Sequence, residues 1–169
     1  MQLEHVSCRN FRSLTGVSYT PAPGINVLFG ENAQGKTTLL EAILFTATTK
    51  SHRTASETEL VRYGEDQFHI HIDATRKSGP VVLEANWWRG EKRFKVDGIA
   101  QTRLSDLLGR VHVVFFSPDD LALIKGAASV RRRFLDMEIS QVNPPYLAAL
   151  QRYRQILRQR NELLRAPTP

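Results

Sequence analysis

Eight residues constrain this chain more than any others. Gly30-Glu31-Asn32-Ala33-Gln34-Gly35-Lys36-Thr37 reads G-x-x-x-x-G-K-[ST], the phosphate-binding loop. That loop is meaningful only between a strand and a helix. Upstream, the apolar run Ile25-Asn26-Val27-Leu28-Phe29 predicts a buried parallel strand. Downstream, Leu39, Leu40, Ile43, Leu44 and Ala47 recur at helical spacing. A glycine turn capping a strand beside a surface lysine is the bland alternative, and the flanking pattern argues against it.

The residue types supply the chemistry. Gly30 and Gly35 permit backbone geometry in which peptide N–H groups turn inward on phosphate oxygens. The helix starting near Lys36 points its positive dipole end at the same anion. Lys36 adds a full charge for the β- and γ-phosphates, and the Thr37 hydroxyl suits Mg²⁺ ligation. The candidate ligand is therefore a phosphate-bearing nucleotide with Mg²⁺, a nucleotide that the chain's family resemblance narrows to ATP. The cofactor-binding set is Gly30, Glu31, Asn32, Ala33, Gln34, Gly35, Lys36, Thr37 and Thr38, with Thr37 also the metal ligand.

The 169 residues suffice for one domain with a real core. No apolar run approaches a membrane span and no secretory leader is visible. A single cysteine, Cys8, suits a reducing cytoplasm and reads as a small core residue. The net charge of +6 is unevenly placed: residues 1–124 carry 14 basic and 14 acidic side chains, residues 125–169 carry 9 and 3. The expected organisation is an ATP-binding lobe over 1–124 and the first helices of a basic helical lobe over 125–169. The basic part suggests a polyanionic partner, or else a solvated helix surface rich in arginine.

Along the chain, Leu3 to Arg9 reads as a strand with Leu3, His5 and Ser7 on one face. A turn at 10–14 and a returning strand at 17–20 follow. Lys50-Ser51-His52-Arg53-Thr54 is a polar, basic loop, and Ser56 with Glu59 forms a capping box for a short helix. Residues 67–101 predict an antiparallel meander, with turns at Ser78-Gly79-Pro80, Arg89-Gly90 and Asp97-Gly98. His69-x-His71 has no Cys or acidic partner at ligand spacing and reads as an outward strand face. Leu104–Gly109 reads as a short helix and Val111–Phe116 as a second buried strand. Ser117-Pro118-Asp119-Asp120 then reads as a helix start rather than as the acidic end of a catalytic strand. From Ser129 the chain is helical, with Phe134, Leu135, Ile139 and Val142 on its apolar side. Asn143-Pro144 restarts the helix, Tyr146, Leu150, Tyr153, Leu157 and Leu164 form a seam, and Ala166–Pro169 breaks it.

Several blocks, in order, resemble the N-terminal half of the RecF family, bacterial DNA replication and repair ATPases related to the SMC proteins. They are Asn10-Phe11-Arg12-Ser13-Leu14, the loop extended through Thr38-Leu39-Leu40-Glu41-Ala42-Ile43, Lys50–Thr54, Phe116–Leu121 with Lys125-Gly126, Arg131–Asp136 and Gln159-Arg160-Asn161. The resemblance covers residues 1–165. It implies an α/β P-loop NTPase of ABC/SMC type, a mixed sheet with an antiparallel meander, then the beginning of a helical lobe. It implies ATP-dependent dimerisation, binding of duplex and gapped DNA, and RecA loading with RecO and RecR. It makes Arg12 a nucleotide contact, and Arg131, Arg132 and Arg133 at a helix N-terminus candidate DNA contacts together with Lys50 and Arg53. The family runs to about twice this length, and its signature and Walker B elements lie in the absent half, so this chain is expected not to hydrolyse ATP. Ala33 stands where the family usually has glycine, a cost of about 1 kcal/mol if the position needs a positive φ. Thr38 stands where it usually has asparagine. The rival readings are another SMC-like or overcoming-lysogenisation-type ATPase, a small P-loop kinase, and a DNA-binding module that keeps a nucleotide only for structure.

Overall fold

The computed structural model describes residues 1–54 and 56–165, with Leu104 and Asp119 described through their backbones alone. Two compact units divide the chain, Met1–Phe115 and Phe116–Pro169. The sequence breaker at 166–169 lies outside the described residues.

The first unit is built on one sheet of order β2-β1-β3-β4-β5-β6. Its strands are β1 (Gln2–Phe11), β2 (Leu14–Tyr19), β3 (Gln67–Arg76), β4 (Gly79–Trp88), β5 (Glu91–Val96) and β6 (Ile99–Gln101). Every pairing is antiparallel. Period-two alternation sets the register of the β3/β4 pair. Phe68, Ile70, Ile72 and Ala74 face Trp87, Ala85, Leu83 and Val81 on the buried side, while His69, His71 and Asp73 turn outward. Trp87 is buried and Trp88 is exposed, as opposite faces of one strand require. Arg89-Gly90 and Asp97-Gly98 adopt positive φ at both positions, the two-residue turn that matches strand twist.

The buried face is covered by α1 (Lys36–Thr48), which contacts β1, β3 and β4. Phe45 projects from it into an aromatic cluster, 5.7 Å from both Phe68 and Phe94 between ring centroids. Burying a phenylalanine there stabilises the unit by about 1.5–3 kcal/mol. The helix is buried on most sides rather than along one stripe: Thr38, Glu41, Thr46 and Thr48 are buried, whereas Leu40 is exposed. Thr46 and Thr48 satisfy their hydroxyls on the carbonyls of Ala42 and Leu44.

Two expected strands do not form. Residues 25–29 lie outside every described strand, with Ile25, Val27 and Phe29 largely exposed, and 111–116 likewise form no described strand and leave Val114 and Phe116 exposed. A buried parallel strand needs parallel neighbours, and neither segment joins the described sheet, whose pairings are all antiparallel. The described sheet is thus antiparallel throughout rather than mixed. Residues 57–60 form a single 3-10 turn, and Ser56 caps it with no side-chain hydrogen bond, so the capping box is not made. Residues 104–106 are likewise a 3-10 turn.

The pairing of β1 with β3 changes register once. Leu3 pairs with Ala74 but His5 pairs with Asp73, so Glu4 is the extra residue of a bulge. The bulge re-phases β1: Leu3 packs against the core and His5 faces outward, although sequence parity puts them on one face.

The second unit holds a 3-10 turn (Pro118–Leu121), α2 (Ala122–Lys125), α3 (Ala128–Val142) and α4 (Pro144–Arg165). The helix start at Ser117 is made by Asp120, whose carboxylate accepts from the Ser117 N–H (2.6 Å) and hydroxyl (3.1 Å). Asn143 caps α4 through its side chain onto the Tyr146 N–H. The expected seams are only partly used: Phe134, Ile139, Tyr146 and Leu150 are half-buried, Leu135, Val142, Tyr153, Leu157 and Leu164 are exposed, and the buried Ser140 and Leu147 lie outside the seams. Asp136 joins α3 to α4, accepting from the Tyr146 hydroxyl and the Arg154 guanidinium, each at 2.6 Å. Among the described residues no helix is long and apolar enough to cross a membrane.

Candidate nucleotide-phosphate site

The phosphate loop lies between the tip of the β1/β2 hairpin and the N-terminus of α1. Gly35 has φ +90°, and a Cβ there would stand 2.5 Å from Leu14 Cδ2. Glycine is therefore required by both backbone and space. Ala33 has φ +66°, the left-handed region that an L-residue enters at a cost. Lys36 folds over the loop, its ammonium donating to the carbonyls of Gly30 (2.8 Å) and Glu31 (2.6 Å). Two of its three donors thus fix the charge at the helix start. The loop, with Arg12, Ser13, Thr37, Thr38 and Arg53, lines a cavity of about 360 Å³.

A buried carboxylate organises the far wall. Glu41, fully buried on α1, accepts from Arg12 Nη2 at 2.8 Å, and its second oxygen lies 2.6 Å from Arg12 Nε. This two-point contact holds a guanidinium in a fixed plane. Ser51 donates to Glu41 at 2.5 Å, and Arg53 stands 3.8 Å from it. The Ser51 hydroxyl also accepts from the backbone N–H groups of Arg53 and Thr54. The Lys50–Thr54 segment is thereby folded so that Arg53 returns to the loop. Arg12 sits at the hairpin tip with φ +49°, its N–H donating to the Leu60 carbonyl at 2.8 Å. Three cations against one carboxylate leave the cavity positive, and the open N–H groups of the first turn of α1 add to that field. A polyphosphate is the ligand such a cavity fits, and the glycines admit it without a clash.

The structure brings Arg12, Asn32, Ala33, Gln34, Gly35, Lys36, Thr37 and Thr38 into one cavity; Gly30 contributes its carbonyl to Lys36 and Glu31 is exposed. Arg53 lies in this cavity, whereas Lys50 is exposed outside it. In the second unit, Arg131 donates to the carbonyls of Leu123 and Gly126 and so closes the end of α2; Arg132 and Arg133 are exposed on α3. Reading the sequence missed Ser13, Glu41 and Ser51. Glu41 did carry a signal: it is the one acid of α1, set inside the apolar run Leu39–Phe45, where a buried charge demands a partner.

Residues 5–105 match the model of the AAA domain family. The chain is 44% identical over 166 residues to the DNA replication and repair protein RecF of Streptococcus pneumoniae (strain CGSP14), covering 98% of this chain and 46% of that protein. It is similar to the solved structure of the recombination mediator protein RecF with ATP in the RecFOR pathway, with TM-score 0.91 and 33% identity, over 98% of this chain and 45% of that one. The SMC head domain from Thermotoga maritima shares the fold, with TM-score 0.56 and 17% identity over 66% of this chain and 43% of that one. The chain spans about half the length of the curated relatives it matches. It belongs to the AAA domain family and to the RecF family, whose N-terminal part, about 46% of the RecF length, it matches.

Proposed function

We propose that this chain is the ATP-binding part of a RecF-type recombination mediator acting in DNA replication and repair. The observation that carries the reading is the convergence of the phosphate loop, Lys36, Arg12 and Arg53 on one positive cavity. Lys36 and the N–H groups at the start of α1 hold the β- and γ-phosphates. Thr37, exposed at the cavity, offers its hydroxyl to Mg²⁺, which shields phosphate charge when bound. Arg12, and Arg53 with it, meet the terminal phosphate, both oriented by Glu41. The whole protein pairs with a second copy around ATP, binds duplex and gapped DNA through cations that include Lys50, Arg132 and Arg133, and works with RecO and RecR in the cytoplasm. Hydrolysis by this chain alone is negligible.

Equilibrium titration with a fluorescent ATP analogue and Mg²⁺ tests the reading. The unmodified chain binds, and Lys36→Ala weakens binding by about 10- to 100-fold, the loss of a charge-assisted contact. Equal affinity in the two proteins, or DNA-stimulated turnover abolished by Lys36→Ala, would overturn it.

A further inference from the structure

Three side chains on the outer face of the sheet converge without any part in phosphate binding. His5 comes from β1, and His71 and Asp73 from β3. One donor atom from each lies within 4.8 Å of the other two. His71 Nε2 is 3.0 Å from Asp73 Oδ1, and His5 Nδ1 is 3.5 Å from Asp73 Oδ2. A tetrahedral ion with bonds of about 2.0–2.1 Å needs neighbouring donors about 3.4 Å apart. Each imidazole already stands near that distance from one oxygen of the Asp73 carboxylate, His71 from Oδ1 and His5 from Oδ2. All three residues are half-buried, and their backbones are fixed in neighbouring paired strands.

We propose that His5, His71 and Asp73 form a binding site for a zinc-class divalent transition-metal ion that clasps β1 to β3. The β-bulge at Glu4 is what makes the set possible. Regular pairing would leave His5 on the face of Leu3, against the core; the bulge turns it outward, opposite Asp73. Bulges recur where a side chain must be re-aimed. Ser18 of β2 lies 2.8 Å from His5 Nε2. With that nitrogen donating to Ser18, the Nδ1 lone pair faces the metal position, as the outer partner of a metal-binding histidine arranges. Two imidazoles and one carboxylate favour Zn²⁺, Co²⁺ or Ni²⁺ over Mg²⁺ and Ca²⁺, which take oxygen donors. Three protein donors leave a fourth position for water. The charged groups facing the site include Glu84, opposite His71 on β4, which is itself paired with Lys95 of β5. His69 shares the face but pairs with Asn86 at 2.7 Å, and so serves as a control.

Co²⁺ is added to the chelator-washed chain at neutral pH, followed by its visible absorption and by metal analysis after gel filtration. One ion per chain is expected, displaced by Zn²⁺ but not by millimolar Mg²⁺ or Ca²⁺. His5→Ala and His71→Ala abolish binding, His69→Ala leaves it intact, and Ser18→Ala weakens it about 10-fold. A second readout covers variants that fold poorly: Zn²⁺ raises the melting temperature of the unmodified chain and of His69→Ala but not that of His71→Gln. Absence of stoichiometric binding, its survival in the His5→Ala/His71→Ala double variant, or equal loss in His69→Ala overturns the site.

Discussion

At the scale of single residues, Ala33 is one position where residue type and backbone disagree. Its φ of +66° costs an L-residue about 1–2 kcal/mol, and glycine would relieve this while losing about 0.5–1 kcal/mol of chain entropy. Ala33→Gly is therefore expected to stabilise the first unit by about 0.5–1 kcal/mol, read as a higher denaturation midpoint in urea at unchanged slope. A lower midpoint would mean that the loop does not hold this conformation in solution. Cys8 shows the opposite economy, a group whose residue type and surroundings agree. Burial pushes its thiol up to about 11, which keeps it protonated and inert at neutral pH. Its contribution is complete below the unfolded value of 9.0 and is lost as pH rises through 11.

At the scale of elements, Asp136 binds α3 to α4. Its hydrogen bond with Tyr146 raises the phenol above the ordinary value of 10.0; desolvation and the Asp136 charge add to this, and Arg154 opposes it. A raised acid stabilises the contact fully below its unfolded value and ceases to as pH passes the folded one. The helical pair is thus expected to hold through pH 10 and loosen above it. In Asp136→Ala the Tyr146 titration, isolated by difference absorbance against a Tyr146→Phe background, moves back towards 10; an unmoved titration would remove Asp136 as its cause. What could be read from sequence at this scale follows from the range of the physics. The meander was legible because its strands carry their own alternation and its hairpins their own glycine turns, at Ser78-Gly79, Arg89-Gly90 and Asp97-Gly98. The segment 25–29 was misread because its apolar run is a local signal, whereas pairing depends on a neighbour that no local signal supplies. The bulge at Glu4 was invisible for the same reason, since it exists only relative to β3. The phosphate loop was legible as a motif. Its far wall was not, because Glu41, Ser51 and Arg12 meet only after α1 has packed on the sheet.

At the scale of the whole molecule, charge is segregated: the first unit is close to balanced and the excess of arginine lies in the helices of the second. Arg131 is already engaged by the carbonyls at the end of α2, so Arg132 and Arg133 are the pair of that triplet left for a polyanion. Replacing both with Gln is expected to weaken duplex DNA binding and to lower the slope of log affinity against log salt by about 2. An unchanged slope would move the DNA surface elsewhere. The apolar segment at 25–29 bears on how the isolated chain behaves in the tube. Ile25, Val27 and Phe29 are largely exposed on an apolar segment that belongs to no described strand, a pattern open to strand addition from another copy. The chain's shelf life in concentrated solution is therefore governed less by how firmly the domain folds than by how often two such segments collide, so dilution or a charged substitution at Val27 preserves it better than cooling.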